Sequence, residues 1–387
     1  GTGAQELPFG TSVYVYKDQI PEDKTVVRGI QIMSLPYALC KVSSSFFEQN
    51  PKDAEIALRL IKSSSELTEI IVKHKFKNSA ARLIGAYEFL GCELIAEELI
   101  RDCKEVGWKI KGENPMNQDK PLLPSTRIHS PYAARIVSMW NEYREQVISQ
   151  FPNEKGLPKN SNAYLEHVKE LYERDAYNSL SIEGYQVNEE LLERVKNNQW
   201  NPDLNLDDSH DRNALAARGY YEAFEEVKNS LQAVFEGKNP GVVAQKNLST
   251  WYQKLFAPSA RAGIIRELDL FGYRKGQVYI RGSRHVPLPK EALVDAMEAL
   301  FECLKNEKHA AVRAVLGHYI FVFIHPYMDG NGRIGRFLMN VMFASGGYPW
   351  TIIQMKNRRE YFAALETVGV ENNIEPFAKF VASEMRA

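Results

Sequence analysis

The chain has 387 residues, a length that predicts two domains or three at roughly 100 to 200 residues each. Its charged share of 25% and apolar share of 44% are those of an ordinary globular protein, which excludes a disordered chain, a collagen and a coiled-coil rod. With 48 Lys and Arg against 49 Asp and Glu, the net charge of −1 lacks the positive excess of a non-specific nucleic-acid binder, so we predict no nucleic-acid partner.

No segment of the sequence predicts contact with a membrane. The longest apolar run, 319–324, is too short to cross a bilayer. The first thirty residues lack the basic start and apolar core of a signal peptide. The four cysteines are scattered and form no Cys-x-x-Cys pair, which favours buried thiols in a reducing compartment over a zinc site. We therefore predict a cytoplasmic protein.

The N-terminal part of the chain is predicted to be a separate, mostly helical region. Residues 11–16 alternate between apolar and polar types, as in a strand. Apolar spacing then predicts helices over 54–72 and 80–106. A polar stretch rich in glycine and proline follows, and it indicates a linker over 113–129. The predicted organisation is therefore an N-terminal region, 1–112, and a larger domain, 130–387.

The larger domain is predicted to be mainly α-helical, with one small β-hairpin. Residues 277–280, between Gly276 and Gly282, have the composition of a short strand. Helical periodicity covers most of the remaining residues, in the segments 132–151, 162–178, 188–197, 212–235, 242–255, 290–306, 309–323, 333–344, 358–367 and 374–385.

The segment that predicts chemistry runs from His325 to Arg336. His325 ends an apolar helix and is followed by proline, so its imidazole is displayed at a helix end. The glycine-rich turn 329–332 directly precedes a new helix, where successive backbone N–H groups and the helix dipole can hold an anion. Arg333 and Arg336 lie three residues apart and share one helix face. The arrangement predicts a polyphosphate site with a base beside it.

An acidic residue, Asp329, lies within this predicted phosphate site. Its carboxylate would repel a phosphate unless a cation bridged the two, so the sequence predicts Mg²⁺. A dinucleotide fingerprint, Gly330-x-Gly332-x-x-Gly335, also fits the segment. That interpretation requires an acidic residue at the end of a second strand, and the candidate strand 350–355 offers Gln354 there instead.

Residues 325–336 resemble the signature of the Fic family, His-Pro-Phe-x-Asp/Glu-Gly-Asn-Gly-Arg-x-x-Arg. The one departure is Tyr327, which stands where the family usually has phenylalanine. Residues 272–274 with 277–280 are similar to the family's flap hairpin, and 347–349, 359–362 and 374–377 follow its pattern after the signature. The resemblance extends from about residue 130 to the C-terminus, and it implies a Fic-type helical core with a flap.

A second pattern, Ser179-x-x-x-Glu183-Gly184, resembles the family's inhibitory motif, Ser/Thr-x-x-x-Glu-Gly/Asn. Ser179 and Glu183 are four residues apart, so they share one face of a helix near 175–184, and Gly184 is suited to end it. The resemblance implies the class of Fic proteins in which the inhibitory helix precedes the core.

Most Fic proteins transfer AMP from ATP to a protein hydroxyl, and the resemblance implies that reaction here. His325 would be the general base and Asp329 would hold Mg²⁺. Glu183 would inhibit by pairing with Arg336. The other implied roles are phosphate binding by Gly330, Asn331, Gly332, Arg333 and Arg336, adenine contact by Tyr361 and Phe362, and docking of the target along a flap strand formed by Gln277, Val278, Tyr279 and Ile280.

Two other functions stay open at this point. The same residues would serve the reverse reaction, removal of AMP from a modified protein, with Glu183 positioning water. A non-enzymatic nucleotide-binding regulator is the third option, although it would need no base at His325. The implied partners are ATP and an unidentified target protein, which includes the chain itself. The oligomeric state is open, with a homodimer as one option, and the N-terminal region carries no motif that indicates its role.

Overall fold

A computed structural model describes residues 4–7, 11–14, 23–27, 30–117, 121, 131–199 and 211–386. The chain divides into two compact units, Gly1–Pro124 and Ser125–Ala387. Within the described ranges, no helix combines the length and the apolar character that a bilayer span requires.

The first unit begins with two antiparallel hairpins and continues as helices. Strand β1 (Ala4–Leu7) pairs with β2 (Thr11–Tyr14), and β3 (Lys24–Val27) pairs with β4 (Ile30–Met33). Of the predicted strand 11–16, residues 15 and 16 lie outside the described residues. The helices that follow are α1 (Leu35–Lys41), α2 (Ser44–Gln49), α3 (Pro51–Arg59), α4 (Ser64–His74), α5 (Lys77–Phe89) and α6 (Glu93–Glu105).

The two long helices predicted in this unit are each split in two. Ser63 and Glu66 form a capping box, which starts α4 afresh after α3 has ended. Gly91 takes a left-handed φ of 68° between α5 and α6. Both breaks come from local hydrogen bonding and backbone conformation, whereas apolar periodicity continues across them. Apolar spacing alone therefore overestimated the length of the helices.

The core of the first unit lies among α4, α5 and α6, where Leu67, Leu83 and Leu99 are fully buried. The start of the predicted linker also packs in this unit. The backbone N–H of Glu113 donates to the carbonyl of Ala81 at 2.9 Å, and Met116 is buried. Most of the predicted linker beyond residue 117 lies outside the described residues.

The second unit is helical, which confirms the predicted mainly α fold class. Its helices are α7 (Pro131–Ile148), α8 (Ser161–Glu170), α9 (Tyr172–Ile182), α10 (Glu189–Lys196), α11 (Arg212–Phe235), α12 (Pro240–Arg261), α13 (Leu293–Asn306), α14 (Ala310–Ile324), α15 (Asn331–Ala344), α16 (Arg358–Glu371) and α17 (Glu375–Arg386).

Helices α14 and α15 form the centre of this unit. Apart from Val322, every residue of α14 is buried, and apart from Gly332 so is every residue of α15. A helix that is apolar all round must be covered on all sides. Helices α7, α11, α12, α13 and α17 contact this pair. The loop 325–330 therefore joins two rigid elements and is held by both.

Residues 275–288, here called the flap loop, do not form the predicted strand. In the described structure no ladder partner faces 277–280, although the loop does reverse direction, because Ser283 N–H donates to the Ile280 carbonyl at 3.1 Å. The Gln277 amide also reaches the Pro287 carbonyl at 3.1 Å, which brings the two sides together. A strand needs a neighbouring backbone to satisfy its N–H and C=O groups, and composition cannot show whether one is present.

We predict that Gly219→Ala destabilises the protein because α11 and α12 touch at this glycine. A Cβ there would lie 2.0 Å from the Leu255 carbonyl oxygen, which is backbone and cannot move aside. Overpacking of this kind costs about 1 to 3 kcal/mol, measurable by urea denaturation. Gly276→Ala is the matched control: it meets no heavy atom within 4 Å, so its change should stay within about 0.5 kcal/mol. Equal stability of the two variants would contradict the close approach.

Candidate active site

His325 occupies the end of α14 with a left-handed backbone, φ 54°. Its Nδ1 lies 3.2 Å from the Val322 carbonyl oxygen, and a carbonyl can only accept, so Nδ1 carries the proton. In the neutral ring this leaves the lone pair on Nε2, the atom that can act as a base. Burial lowers the pKa of His325, and the charges of Arg274 and His285 lower it further. The hydrogen bond to Val322 opposes part of this shift, and the net effect favours the neutral ring.

The glycine-rich turn after His325 begins α15 as the sequence predicts. Gly330 is the N-cap residue, with φ 80°, and having no side chain it leaves the first N–H groups of α15 uncapped. Asp329 lies at the rim, with a side chain 58% exposed and one carboxylate oxygen accepting from the Gly330 N–H at 2.6 Å. The helix end is thus a positive surface of backbone donors, with the carboxylate of Asp329 at its rim.

Arg333 is buried and lies between two aromatic rings. Its guanidinium carbon is 5.0 Å from the ring centre of Tyr185 and 5.1 Å from that of Phe256. Among the described residues, no hydrogen-bond partner exists for its Nε or Nη2, and Nη2 lies 3.4 Å from Asp329 Oδ1. A buried guanidinium normally satisfies its donors. Apart from the ion pair with Asp329, these donors are hydrogen-bonding capacity that an anion at the start of α15 would satisfy.

Arg336, one turn further along α15, is bound by the helix that carries the second sequence motif. Its Nε donates to Ser179 Oγ at 2.9 Å, and its Nη2 donates to the Ser179 carbonyl at 3.0 Å. The same Nη2 lies 2.7 Å from Glu183 Oε1. The structure thus brings Arg336 to two residues that precede it by more than 150 positions.

Glu183 is the C-cap of α9, and Gly184 ends that helix with φ 87°. The N–H of Tyr185 turns back to the Leu180 carbonyl, a geometry that requires a residue tolerant of positive φ. A Cβ on Gly332 would lie 2.2 Å from Glu183 Oε1. The carboxylate of Glu183 therefore rests on the bare backbone of Gly332, in the first turn of α15.

Asn331, a residue of the predicted nucleotide site, bonds within its own loop. The Asn331 amide was expected to cradle phosphates, but its oxygen accepts from the Tyr327 N–H at 3.0 Å and its nitrogen donates to the Tyr327 carbonyl at 2.9 Å. This pair of bonds closes the loop and leaves little of the amide for a ligand. Tyr327 itself is buried and stacks on Tyr252, with ring centres 3.7 Å apart.

Tyr361 was expected to contact adenine, and the structure places it in the core instead. It is 1% exposed, and its hydroxyl lies 2.8 Å from Nε2 of buried His318, so neither ring face is open for stacking. Phe362 is 38% exposed and packs under the guanidinium of Arg358 at 4.7 Å. Of the two adjacent aromatic residues, only Phe362 offers a ring edge to solvent.

The flap loop presents its predicted docking residues outward. Tyr279 is 77% exposed, Gln277 is exposed, and Val278 and Ile280 are partly buried. Glu366 on α16 anchors the far side of the loop, accepting from the Ser283 hydroxyl and from the Arg284 N–H.

A buried acid that sequence reasoning did not single out lies on α9, two turns before Glu183. Asp175 accepts from the Tyr220 hydroxyl at 2.7 Å. Burial raises the pKa of Asp175 to about 6, and the hydrogen bond from Tyr220 opposes that shift. The spacing 175, 179, 183 places Asp175 on the face of α9 that carries Ser179 and Glu183. That spacing was the available signal.

Residues 245–343 match the model of the Fic/DOC family. The chain is 28% identical over 256 residues to the protein adenylyltransferase Fic of Aedes aegypti, an alignment that covers 64% of this chain and 47% of that relative. It is 29% identical over 227 residues to the protein of the same name from Drosophila erecta, covering 57% of this chain and 42% of that relative. The chain thus spans about half the length of the curated relatives it matches.

Solved Fic structures are similar over most of the chain. Fic-1 (residues 134–508) of C. elegans aligns with 90% of this chain and 93% of its own, at 16% identity and a TM-score of 0.46. A Fic family protein from Desulfovibrio desulfuricans aligns with 68% of this chain and 74% of its own, at 22% identity and a TM-score of 0.45.

We predict that the His325 imidazole titrates below its ordinary pKa of about 6.5. Because folding lowers the pKa of His325, the neutral ring makes its full contribution to the free energy of unfolding above about pH 6.5. That contribution is lost as the pH falls through the pKa that His325 has in the folded protein. Since the Glu183 carboxylate raises the pKa of His325, Glu183→Gln should lower it further. An NMR titration of the ring in both proteins measures the two effects. A His325 pKa at or above 6.5 in the parent protein would contradict the predicted lowering. A higher His325 pKa in Glu183→Gln than in the parent would contradict the predicted effect of Glu183.

Proposed function

We propose that this chain is a protein AMP transferase, held inactive by Glu183. The observation that carries the proposal is Arg333, whose buried guanidinium has donors without partners in the described structure beside the uncapped start of α15. Such a site fits a ligand with several anionic oxygens. His325 lies at the same loop with its base form favoured. The similarity to proteins named adenylyltransferase Fic supports ATP as the ligand.

The proposed reaction needs one proton transfer and one displacement. Nε2 of His325 takes the proton of a Ser, Thr or Tyr hydroxyl on the target. The oxygen of that hydroxyl attacks the α-phosphorus of ATP, a new P–O bond forms, and the bond to the β-phosphate oxygen breaks. Pyrophosphate leaves and AMP stays on the target. The protein's contribution is positioning and electrostatic stabilisation, as is general in phosphoryl transfer.

The start of α15 is the proposed phosphate site. The N–H groups of Asn331 and Gly332 and the guanidinium of Arg333 would hold the phosphate oxygens, joined by the Gly330 N–H if a ligand replaces its bond to Asp329. Asp329 is the proposed Mg²⁺ ligand. Mg²⁺ is commonly held by one or two carboxylates together with substrate phosphates and water, so one exposed carboxylate at the rim fits an ion that arrives with the nucleotide. That ion would neutralise charge between the carboxylate and the phosphates.

Glu183 is the proposed inhibitor: a terminal phosphate bound by Arg336 would need the space that the Glu183 carboxylate occupies. Its carboxylate lies on Gly332 and pairs with Arg336 at 2.7 Å. Once Glu183 leaves, Arg336 would be free to orient the γ-phosphate. Phe362 is the proposed adenine contact, and the flap loop the proposed docking segment for the target. A homodimer and a cytoplasmic location also remain proposals. The four cysteines are free thiols, which supports a reducing compartment.

We predict that Glu183→Gly releases transfer. A charge-assisted pair is worth on the order of 1.5 to 3 kcal/mol, so auto-modification by ATP labelled at the α-phosphate should rise roughly 10- to 100-fold. The matched control is Glu236→Gly. Glu236 is also a helix C-cap, and Gly237 follows it with φ 90°, yet it lies outside the site. Adding Arg336→Ala to Glu183→Gly should remove much of the gain.

Other outcomes of this experiment separate the alternative functions. Equal labelling of the parent and Glu183→Gly would leave Glu183 as an ordinary helix-end acid. Loss of AMP release from a modified protein in Glu183→Gly, without a gain in labelling, would favour the reverse reaction. Nucleotide binding with neither reaction in any variant would favour a non-enzymatic regulator.

We also predict that His325 is dispensable for nucleotide binding and essential for transfer. In the Glu183→Gly background, His325→Ala should keep its ATP affinity within a few-fold in isothermal titration calorimetry, because the phosphate donors lie on α15. Transfer should fall by roughly 10² to 10⁴, the usual contribution of a general base. Unchanged labelling would remove His325 from the reaction.

A further inference from the structure

Arg274 is a buried arginine whose hydrogen bonds go to the main chain. Arg274 is 5% exposed. No carboxylate pairs with it in the part of the chain that the structure describes. The guanidinium donates instead to the carbonyls of His325 at 2.8 Å, Gly276 at 2.7 Å and Leu288. A buried charge without a counter-ion costs free energy. Three carbonyl dipoles offset part of that cost, and burial lowers the pKa of Arg274.

The three carbonyls belong to two segments that the proposed reaction must hold together. Gly276 and Leu288 are the two ends of the flap loop, and His325 is the proposed base. The backbone N–H of Arg274 adds a fourth bond, to the Pro326 carbonyl at 2.8 Å. One planar, preorganised fork therefore joins both ends of the flap loop to the residue that ends α14. A lysine could not reproduce the fork with its single nitrogen.

We propose that Arg274 is a positioning residue, which fixes the flap loop against His325 so that a hydroxyl docked on the loop meets Nε2 of the imidazole. The proposal rests on the proposed transferase function for its kinetic consequences only. A residue with a strained backbone conformation keeps it only when several surrounding bonds fix that conformation. Here the left-handed His325 backbone has its N–H bonded within α14 and its carbonyl bonded to Arg274.

The charge of Arg274 gives it a second effect on the same residue. The charged groups that act on His325 are Arg274 and His285, which lower its pKa, and Glu183, which raises it. His285 lies in the flap loop, and its Nε2 donates to the Phe323 carbonyl at 2.8 Å. Removing the positive charge at 274 should therefore raise the pKa of His325. A residue that only filled space would have no such effect.

The experiment compares Arg274→Met and Arg274→Lys with Arg313→Met, all in Glu183→Gly protein. Arg313 is the matched control because it is also a buried arginine, with bonds to the Glu307 and Lys308 carbonyls and to the Ser345 hydroxyl. It lies twelve residues before His325, about 18 Å along α14 at 1.5 Å per residue. Arg274→Lys keeps the charge and loses the fork, so it separates the two effects.

Three readouts are expected to respond in distinct ways. By NMR, the pKa of His325 should rise in Arg274→Met and stay near the parent value in Arg274→Lys and Arg313→Met. Hydrogen exchange of the flap-loop amides should accelerate in both Arg274 variants but not in Arg313→Met. Auto-modification by ATP labelled at the α-phosphate should fall on the order of 10²-fold in both Arg274 variants, the usual effect of a misplacement of about 1 Å. The KM for ATP should change little.

The proposal is overturned if Arg274→Met resembles Arg313→Met in all three readouts, since Arg274 would then be a structural residue like its control. If Arg274→Met does not fold, Arg274→Lys decides the question: flap-loop exchange and transfer at parent levels would refute the positioning role. If Glu183→Gly itself transfers no AMP, the proposed function fails. Flap-loop exchange still decides in that case whether Arg274 joins the two segments.

Discussion

The buried charge of Arg336 is the constraint on which the arrangement of the second unit depends. Arg336 is a buried residue of α15, so its donors need neighbouring acceptors, and among the described residues Nε and Nη2 have them whereas Nη1 does not. Ser179 supplies a hydroxyl and a carbonyl, and Glu183 supplies the carboxylate. Ser179 and Glu183 sit on α9, so α9 is held against α15 at this point. A single arginine thereby sets the position of an entire helix.

The same helix carries a second acid below this pair. Asp175 lies two turns before Glu183 and accepts a hydrogen bond from the Tyr220 hydroxyl. The positive charge of Arg336 lowers the pKa of Asp175, against the larger effect of burial. The face of α9 toward α15 is thus polar along its length, although it is buried. A buried polar network destabilises the fold when a member lacks a hydrogen-bond partner, and it specifies one arrangement when every member has one. This gives a physical reason for α9 to dock in one register only, which places Glu183 on Gly332.

Local patterns in the sequence were sufficient for part of this architecture. The glycine-rich turn and the start of α15 follow from residues that are adjacent in the chain, and Gly184 ends α9 for the same reason. The use of Asn331 was missed because an amide can bond to a ligand or to its own loop, and spacing does not distinguish the two. Tyr361 was misplaced since adjacent aromatic residues on a helix point to different sides, one into the core. Arg274 could not be assigned a role because its partners are backbone carbonyls, which every residue has.

Glu183 ends α9 at the place where α15 begins, so the negative end of one helix dipole meets the positive end of another. In the proposed function, the start of α15 is an anion site, and Glu183 would be an anion that the protein itself places there, on the end of a helix. A free carboxylic acid offers the site nothing that Glu183 does not already give, whereas a phosphate brings more charge and more acceptor oxygens. On that proposal, a ligand would enter by displacing Glu183, and one richer in negative oxygen than this side chain would be favoured.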